Sequence, residues 1–239
     1  MKGIILAGGT GSRLTPLTKV TNKHLLPVGR FPMIVHSVNK LASAGVKDIM
    51  VITGTEHMGD MITLLGSGYD YGCNFTFRVQ DRPDGIAGAL LLCEDFAKND
   101  SVVVILGDNI FEDSLEGIVE KYESRPSGPT PTCLLCLKEV EDPHRFGVPK
   151  IVDGIIEKII EKPENPPSNF CVTGVYVYDN NVFDFIRALK KSDRGEYEIT
   201  DVNNMYINNG SAAAYELKGW WTDAGTHASY HLANKLVQE

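Results

Sequence analysis

No apolar run in this 239-residue chain comes near the roughly 18 residues that a membrane-spanning helix requires. The opening MKGIILAGG is also too short in apolar length for a secretory leader, so the expected compartment is the cytoplasm. Cysteine is scarce. Cys73, Cys93, Cys133, Cys136 and Cys171 are odd in number, scattered and set among apolar neighbours, which argues against a secreted disulfide framework. Cys133 and Cys136 have C-x-x-C spacing, but they lie in the strand-like run TCLLCL, where their thiols face opposite ways. No second Cys/His pair follows at zinc spacing, so they are expected to be core residues. Net positive charge is missing as well: 31 acids against 23 Lys and Arg give −8, which disfavours a protein that grips duplex nucleic acid over a broad surface.

Acid itself is absent from one stretch. Residues 1–47 hold Lys2, Arg13, Lys19, Lys23, Arg30, Lys40 and Lys47 and no carboxylate. Local potential, and not the total, decides what docks, so this basic segment suggests a small anionic ligand. What is present in quantity is an alternation of strand and helix signals. KGIILA, DIMVIT, FTFRVQ and VVVIL are short apolar runs of the kind covered on both faces in a parallel sheet. Between them, MIVHSVNKLASAG, a segment around Met58–Leu65, and IAGALLLCEDFA read as helices. Residues 1–108 therefore predict a doubly wound, Rossmann-like α/β layer.

The second half is more mixed. A helix near Leu115–Tyr122 precedes the loop SRPSGPTPT and the strand TCLLCLKEV. FGVPKIV and GIIEKIIEK form a hairpin about Asp153-Gly154. FCVTGVYVYD and AAAYELKGWW read as strands, NVFDFIRALKK and the segment near His227–Leu236 as helices. The expectation is one domain over 1–239 with a mostly parallel mixed sheet and a smaller β-rich lobe roofing a pocket.

In open α/β sheets the binding crevice lies beyond the carboxyl ends of the strands. Four ends then matter: Gly8 to Arg13, Thr53-Gly54, Gln80 to Gly85, and Asp108. The Gly8-Gly9-Thr10-Gly11 turn lets backbone N–H groups approach phosphate oxygens, with Arg13 and Lys23 adding charge; a plain tight turn is the other reading. It is neither a P-loop nor a dinucleotide fingerprint, because Leu14 sits where the last glycine belongs. Asp108, directly after VVVILG, could hold Mg²⁺ or cap the turn that follows. Asp223, between a strand and a helix, could do the same or serve as an N-cap. In Glu161-Lys162-Pro163, a carboxylate can accept sugar hydroxyls and an ammonium can pair with a phosphate, or the two can be an exposed charge pair. The Gln80 amide matches the imide edge of uracil or thymine. His227 and His231 share a helical face, but lack a third ligand.

In order, GIILAGGTGSRLTPLT, NKHLLPV, FPMI, Gln80 with Pro83-Asp84-Gly85, LGDNIF, FGV, EKP, TGVYVYD, GEYEITDVN and WTDAGT resemble the sugar nucleotidyltransferases, most closely the glucose-1-phosphate thymidylyltransferases. The resemblance implies Mg²⁺-dependent transfer of a nucleotidyl group from dTTP to glucose 1-phosphate, with UTP or another sugar phosphate as alternatives. It implies small-molecule substrates, no nucleic acid or membrane partner, and a homo-oligomer. Residues 1–108 would serve mainly the nucleotide and 109–239 mainly the sugar phosphate. Gly8, Gly9 and Gly11 would cradle the nucleotide, with Arg13 on the triphosphate and Lys23 near the leaving pyrophosphate. Gln80 and Gly85 would read the pyrimidine. Asp108 and Asp223 would hold the metal. Gly147, Glu161 and Val172 would contact the hexose and Lys162 its phosphate, with Tyr176 and Glu196 as lesser contributors. Three features depart from the pattern: His24 and Gly88 stand where glutamine is usual, and the chain stops soon after WTDAGT, which puts an allosteric site and a tetramer in question. A nucleotide-sugar sensor is the non-enzymatic alternative, and the metal carboxylates argue against it.

Overall fold

The run KGIILA forms β1 (Lys2–Ala7), the strand about which the molecule is organised. In this computed structural model, which describes residues 1–124 and 132–238, it is followed by a small hairpin of β2 (Pro27–Val28) and β3 (Phe31–Pro32). Next come α1 (Met33–Ser43), β4 (Asp48–Gly54), α2 (Met58–Leu65) and β5 (Asn74–Gln80). Then α3 (Gly85–Leu91) and α4 (Glu94–Ala97) lead to β6 (Val102–Leu106), β7 (Asn109–Phe111) and α5 (Leu115–Glu123). The second half supplies β8 (Cys133–Glu139), a hairpin of β9 (Gly147–Val152) and β10 (Ile155–Glu161), β11 (Phe170–Tyr178), α6 (Val182–Ala188) and α7 (Ile199–Asn208). It closes with β12 (Ala212–Glu216), β13 (Trp221–Asp223) and α8 (His227–Leu236).

Seven strands form one sheet in the order β12-β8-β11-β6-β1-β4-β5. Only β11 runs against the rest, pairing antiparallel with both β6 and β8. The chain leaves β1 for β4 and β5 on one side and returns to β6 on the other, so the strand order reverses beside β1. That reversal opens a crevice at the carboxyl ends of β1 and β6. The expected α/β class and mostly parallel mixed sheet are what the chain adopts.

The strands alternate between two cores. Ile5, Val51, Val103, Ile105 and Cys136 pack on one face; Ile4, Ile52, Val102, Val104 and Cys133 pack on the other. The two C-x-x-C thiols thus point to opposite faces, as their odd spacing requires. No helix among the described residues is long and apolar enough to cross a membrane.

Two expectations need correction, and one helix is additional. IAGALLLCEDFA is two helices broken at Leu92-Cys93. AAAYELKGWW is two strands: Asp113 accepts from the Lys218 and Gly219 amides and turns the chain, so Trp221 pairs with Phe111 and leaves the main sheet. Helix α7 was not foreseen. Its sequence ITDVNNMYIN is rich in β-branched and amide side chains, so its helicity comes from packing Ile199, Val202 and Tyr206 into the core and from the Tyr178–Asn203 hydrogen bond of 2.6 Å. The hairpin turn is as expected, with Asp153 and Gly154 both at positive φ, at +50° and +78°, the conformation a two-residue loop needs. Most of the loop SRPSGPTPT lies outside the described residues.

Candidate active site

The glycine loop leaves β1 against other parts of the site. A Cβ on Gly8 would overlap Gln80 Oε1, and one on Gly9 would stand 3.4 Å from Lys23 Cε. Gly11 has φ +67°, in the left-handed region, and its carbonyl accepts from Thr18 Oγ1 at 2.9 Å. The loop is anchored by Leu14, which is fully buried, so the residue that broke the dinucleotide pattern is a core residue. Arg13 beside it faces the crevice.

Asp108 and Asp223 meet because β7 and β13 pair in a register that sets Asn109 opposite Asp223, with the Ala224 amide donating to the Asp108 carbonyl at 2.7 Å. A Cβ placed on Gly225 would lie 3.4 Å from Asp108 Oδ2, 3.4 Å from Asp223 Oδ2 and 3.2 Å from Arg13 Nη2. Two carboxylates and a guanidinium from the beginning, middle and end of the chain therefore surround one small space that glycine leaves open. Neither aspartate is a helix cap. Thr226 caps α8, in a reciprocal capping box with Ser229, and residue 109 begins a strand.

The two carboxyls differ electrostatically. Burial acts to raise Asp108, but the adjacent Lys23 ammonium and hydrogen bonds from Lys23 and Asn109 outweigh it and hold the carboxyl well below the usual range. Asp223 is raised: burial and the charge of Asp108 outweigh Arg145, whose Nη2 lies 3.3 Å from both Asp223 oxygens. His24, beneath this pair, is fully buried and hydrogen-bonds Asn22 Oδ1 through Nδ1 at 2.7 Å. Burial, helped by the Lys23 charge, lowers its pKa to about 3, so the ring is neutral.

On the other side, the β9–β10 hairpin presents Gly147, Glu161 and Lys162. Glu161 accepts from Thr200 Oγ1 at 2.6 Å and lies 3.2 Å from Lys162 Nζ. Lys162 itself has φ +44°, held by its amide bonding the Phe146 carbonyl. A cavity of about 410 Å³ is lined by these residues with Val172, Tyr176, Arg13, Asp108 and Asp223. A second, of about 370 Å³, is lined by Gly8, Gly9, Lys23, Gln80 and Gly85, and shares Arg13, Asp108 and Glu196 with the first. Gly85 (φ +87°) lies so close to the Tyr197 carbonyl that a Cβ would stand 2.6 Å from it, and the Tyr197 amide donates to Asp84, tying the two halves together. Of the nucleotide, sugar and metal residues expected from the sequence, all but Gly11 line one or both of these two cavities. His227 is spent elsewhere, with Nε2 2.9 Å from the Thr15 carbonyl.

Sequence reasoning missed three residues. Arg145 pairs with Asp223, and Arg194 lines the larger cavity 3.8 Å from Glu161. Asn109 ties the site together, its Oδ1 accepting from Gly174 N and Trp221 Nε1 at 2.8 Å each while its Nδ2 donates to Asp108. The two arginines flank quoted motifs, Arg145 before FGV and Arg194 before GEYEITDVN, and their charge next to those segments was the available signal.

Nothing among the described residues groups three or more His, Cys, Asp or Glu as a metal cage. The donor set instead fits Mg²⁺, which takes one or two carboxylates and completes its shell with water and substrate phosphate. Asp108 and Asp223 oxygens facing one glycine-lined gap are such a set.

This crevice at a strand-order reversal, with carboxylates beside a glycine loop, defines a class that binds nucleotides and phosphate esters. The chain belongs to the nucleotidyl transferase family, whose model matches residues 2–239. It is 43% identical over its whole length to the glucose-1-phosphate thymidylyltransferase of Neisseria meningitidis, covering 83% of that protein. It superposes with a TM-score of 0.95, at 56% identity over all of this chain and 96% of the other, on a Bacillus anthracis protein assigned as a glucose-1-phosphate thymidylyltransferase and crystallised with sucrose. A UDP-glucose pyrophosphorylase complexed with UDP-glucose is similar at TM-score 0.86 and 25% identity, over 99% of this chain and 98% of that one.

Proposed function

We propose that this protein is a glucose-1-phosphate thymidylyltransferase, joining dTTP and α-D-glucose 1-phosphate to give dTDP-glucose and pyrophosphate for nucleotide-sugar and cell-surface polysaccharide synthesis. The observation that carries this reading is the meeting of Arg13, Asp108 and Asp223 around Gly225, between a cavity edged by Gln80 and one edged by Glu161 and Lys162. Nucleotidyltransferases of this family are generally divalent-metal dependent, and their substrates are a nucleotide and a sugar phosphate. In this reading residues 1–108 hold mainly the nucleotide and 109–239 mainly the sugar phosphate.

The sugar phosphate is already an anion at neutral pH, so no general base, nucleophilic serine or covalent intermediate is needed. The difficulty is bringing two anions together in line. Asp108 and Asp223 would hold the divalent cation, which would supply positive charge to offset the repulsion between the two anions. Lys162 and Arg194 draw the attacking phosphate to the hairpin side, while Glu161 accepts hexose hydroxyls. Arg13, Lys23 and the Gly8–Gly11 amides stabilise charge on the departing pyrophosphate. Gln80, whose amide offers a donor and an acceptor, reads the base edge. UTP lacks only a methyl group, a difference of about 1–3 kcal/mol, so weaker turnover with UTP is expected.

The test is pyrophosphate release from glucose 1-phosphate with dTTP, UTP, ATP and GTP, with and without Mg²⁺. Mg²⁺-dependent release that is fastest with dTTP is expected; release indifferent to metal, or absent with dTTP, overturns the reading. Asp223→Asn should cost several kcal/mol of transition-state stabilisation. It is preferable to Asp108→Asn, which would strand the buried Lys23 ammonium and destabilise the fold as well.

A further inference from the structure

Each of the two carboxylates assigned to the metal already has a side-chain cation. Lys23 pairs with Asp108, and Arg145 reaches both oxygens of Asp223 at 3.3 Å. Together these two charges equal that of one divalent ion. The pairs are not alike, however. Lys23 is the more buried cation, its side chain 11% exposed at the edge of the second cavity and packed against the glycine loop. The Arg145 side chain is 34% exposed and lines the larger cavity. It has alternative company in Asp142, with Nε 4.0 Å from that carboxylate, and in the Phe146 ring, whose centre is 5.0 Å from its guanidinium carbon. Leaving Asp223 would therefore not strand the guanidinium: it keeps an aromatic face, a carboxylate and solvent.

Resting on the reading of Asp108 and Asp223 as metal ligands, we propose that Arg145 is a positioning residue that occupies Asp223 in the empty site and competes there with the divalent cation. An anionic carboxylate in a half-buried pocket would otherwise collect free metal. With Arg145 on it, the empty protein binds metal weakly, and the ion is favoured to enter with the triphosphate, whose own oxygens complete its shell. The function of the pair is thus to couple metal binding to nucleotide binding, which a merely structural ion pair does not do.

The test is Mn²⁺ binding to the substrate-free protein, followed by the loss of the free-ion electron paramagnetic resonance signal, for the wild type, Arg145→Met, Arg145→Lys, Asp223→Asn and the Arg145→Met/Asp223→Asn pair. Methionine keeps an apolar stem over Phe146 without the charge. Arg145→Met should tighten Mn²⁺ binding about fivefold, the equivalent of one partly exposed ion pair. Arg145→Lys should fall between it and the wild type. The gain should vanish in the Asp223→Asn background. Unchanged or weakened binding in Arg145→Met overturns the competition and leaves the metal assignment standing. If Arg145→Met/Asp223→Asn binds Mn²⁺ as tightly as Arg145→Met does, the metal assignment fails and the competition with it.

Discussion

At the scale of single residues, the site is controlled by how few of its charges are free. His24 shows this most sharply. It is fully buried against Asn22 and the Lys23–Asp108 pair. An unfolded histidine takes up a proton near pH 6.5, whereas this ring stays neutral down to about 3. Between those values the unfolded chain binds the extra proton, so stability must fall as pH falls from about 6.5 towards 3. From neutral pH to pH 5 the loss from this one group is about 2 kcal/mol. Urea unfolding of the metal-free wild type and His24→Gln at pH 7 and pH 5 measures it: the variant should lose less stability by about that amount. Equal losses would mean that the ring is not held neutral.

At the scale of elements, the chemistry depends on pieces too short or too polar to fold alone. The two three-residue strands β7 and β13 put Asp108 beside Asp223, and helix α7 steadies the hairpin that carries Glu161 and Lys162. Asn204 on α7 does the second job with both ends of its amide, accepting from Ile159 N at 2.8 Å and donating to Ile159 O at 2.9 Å. Asn204→Ala leaves both backbone groups of Ile159 without that partner, and should destabilise the protein by about 1–3 kcal/mol. On the proposed reading, in which this hairpin holds the sugar phosphate, the same variant should raise KM for glucose 1-phosphate more than KM for dTTP. Steady-state kinetics separates the two, and equal changes would place the hairpin outside the sugar site. Helix α8 plays a comparable part for the segment that follows the glycine loop. His227, Tyr230 and Asn234 repeat at helical spacing and bond Thr15 O, Pro27 O and Gly29 N, clasping the segment that carries Lys23.

At the scale of the whole molecule, the two faces of one sheet absorb every cysteine. All five thiols are free, buried and raised by burial, Cys93 and Cys171 to about 12. A thiol-specific disulfide reagent should therefore label the native protein hardly at all and release five equivalents after denaturation in urea. Rapid labelling of any of them in the native state would contradict the packing. The same architecture sets the charge asymmetry to use. The acid-free first 47 residues include the glycine loop, Arg13 and Lys23, so two cations stand in the crevice at the sheet's carboxyl end although the protein as a whole carries −8.

The sequence by itself determined the α/β class, the central strands, the hairpin turn and the family, because apolar periodicity, glycine at positive φ and contiguous motifs are local properties. It also marked nearly all the residues that line the two cavities, since those lie at strand ends or within quoted segments. Only the tertiary structure decided what those residues do to one another. The β7–β13 register, the break before Trp221 that permits it, the α7 helix made stable by burial, and the pairing of Arg145 with Asp223 all join residues tens to more than a hundred positions apart. Their energies come from long-range packing and from charge in a partly dry crevice, and neither is written in any short window of the chain.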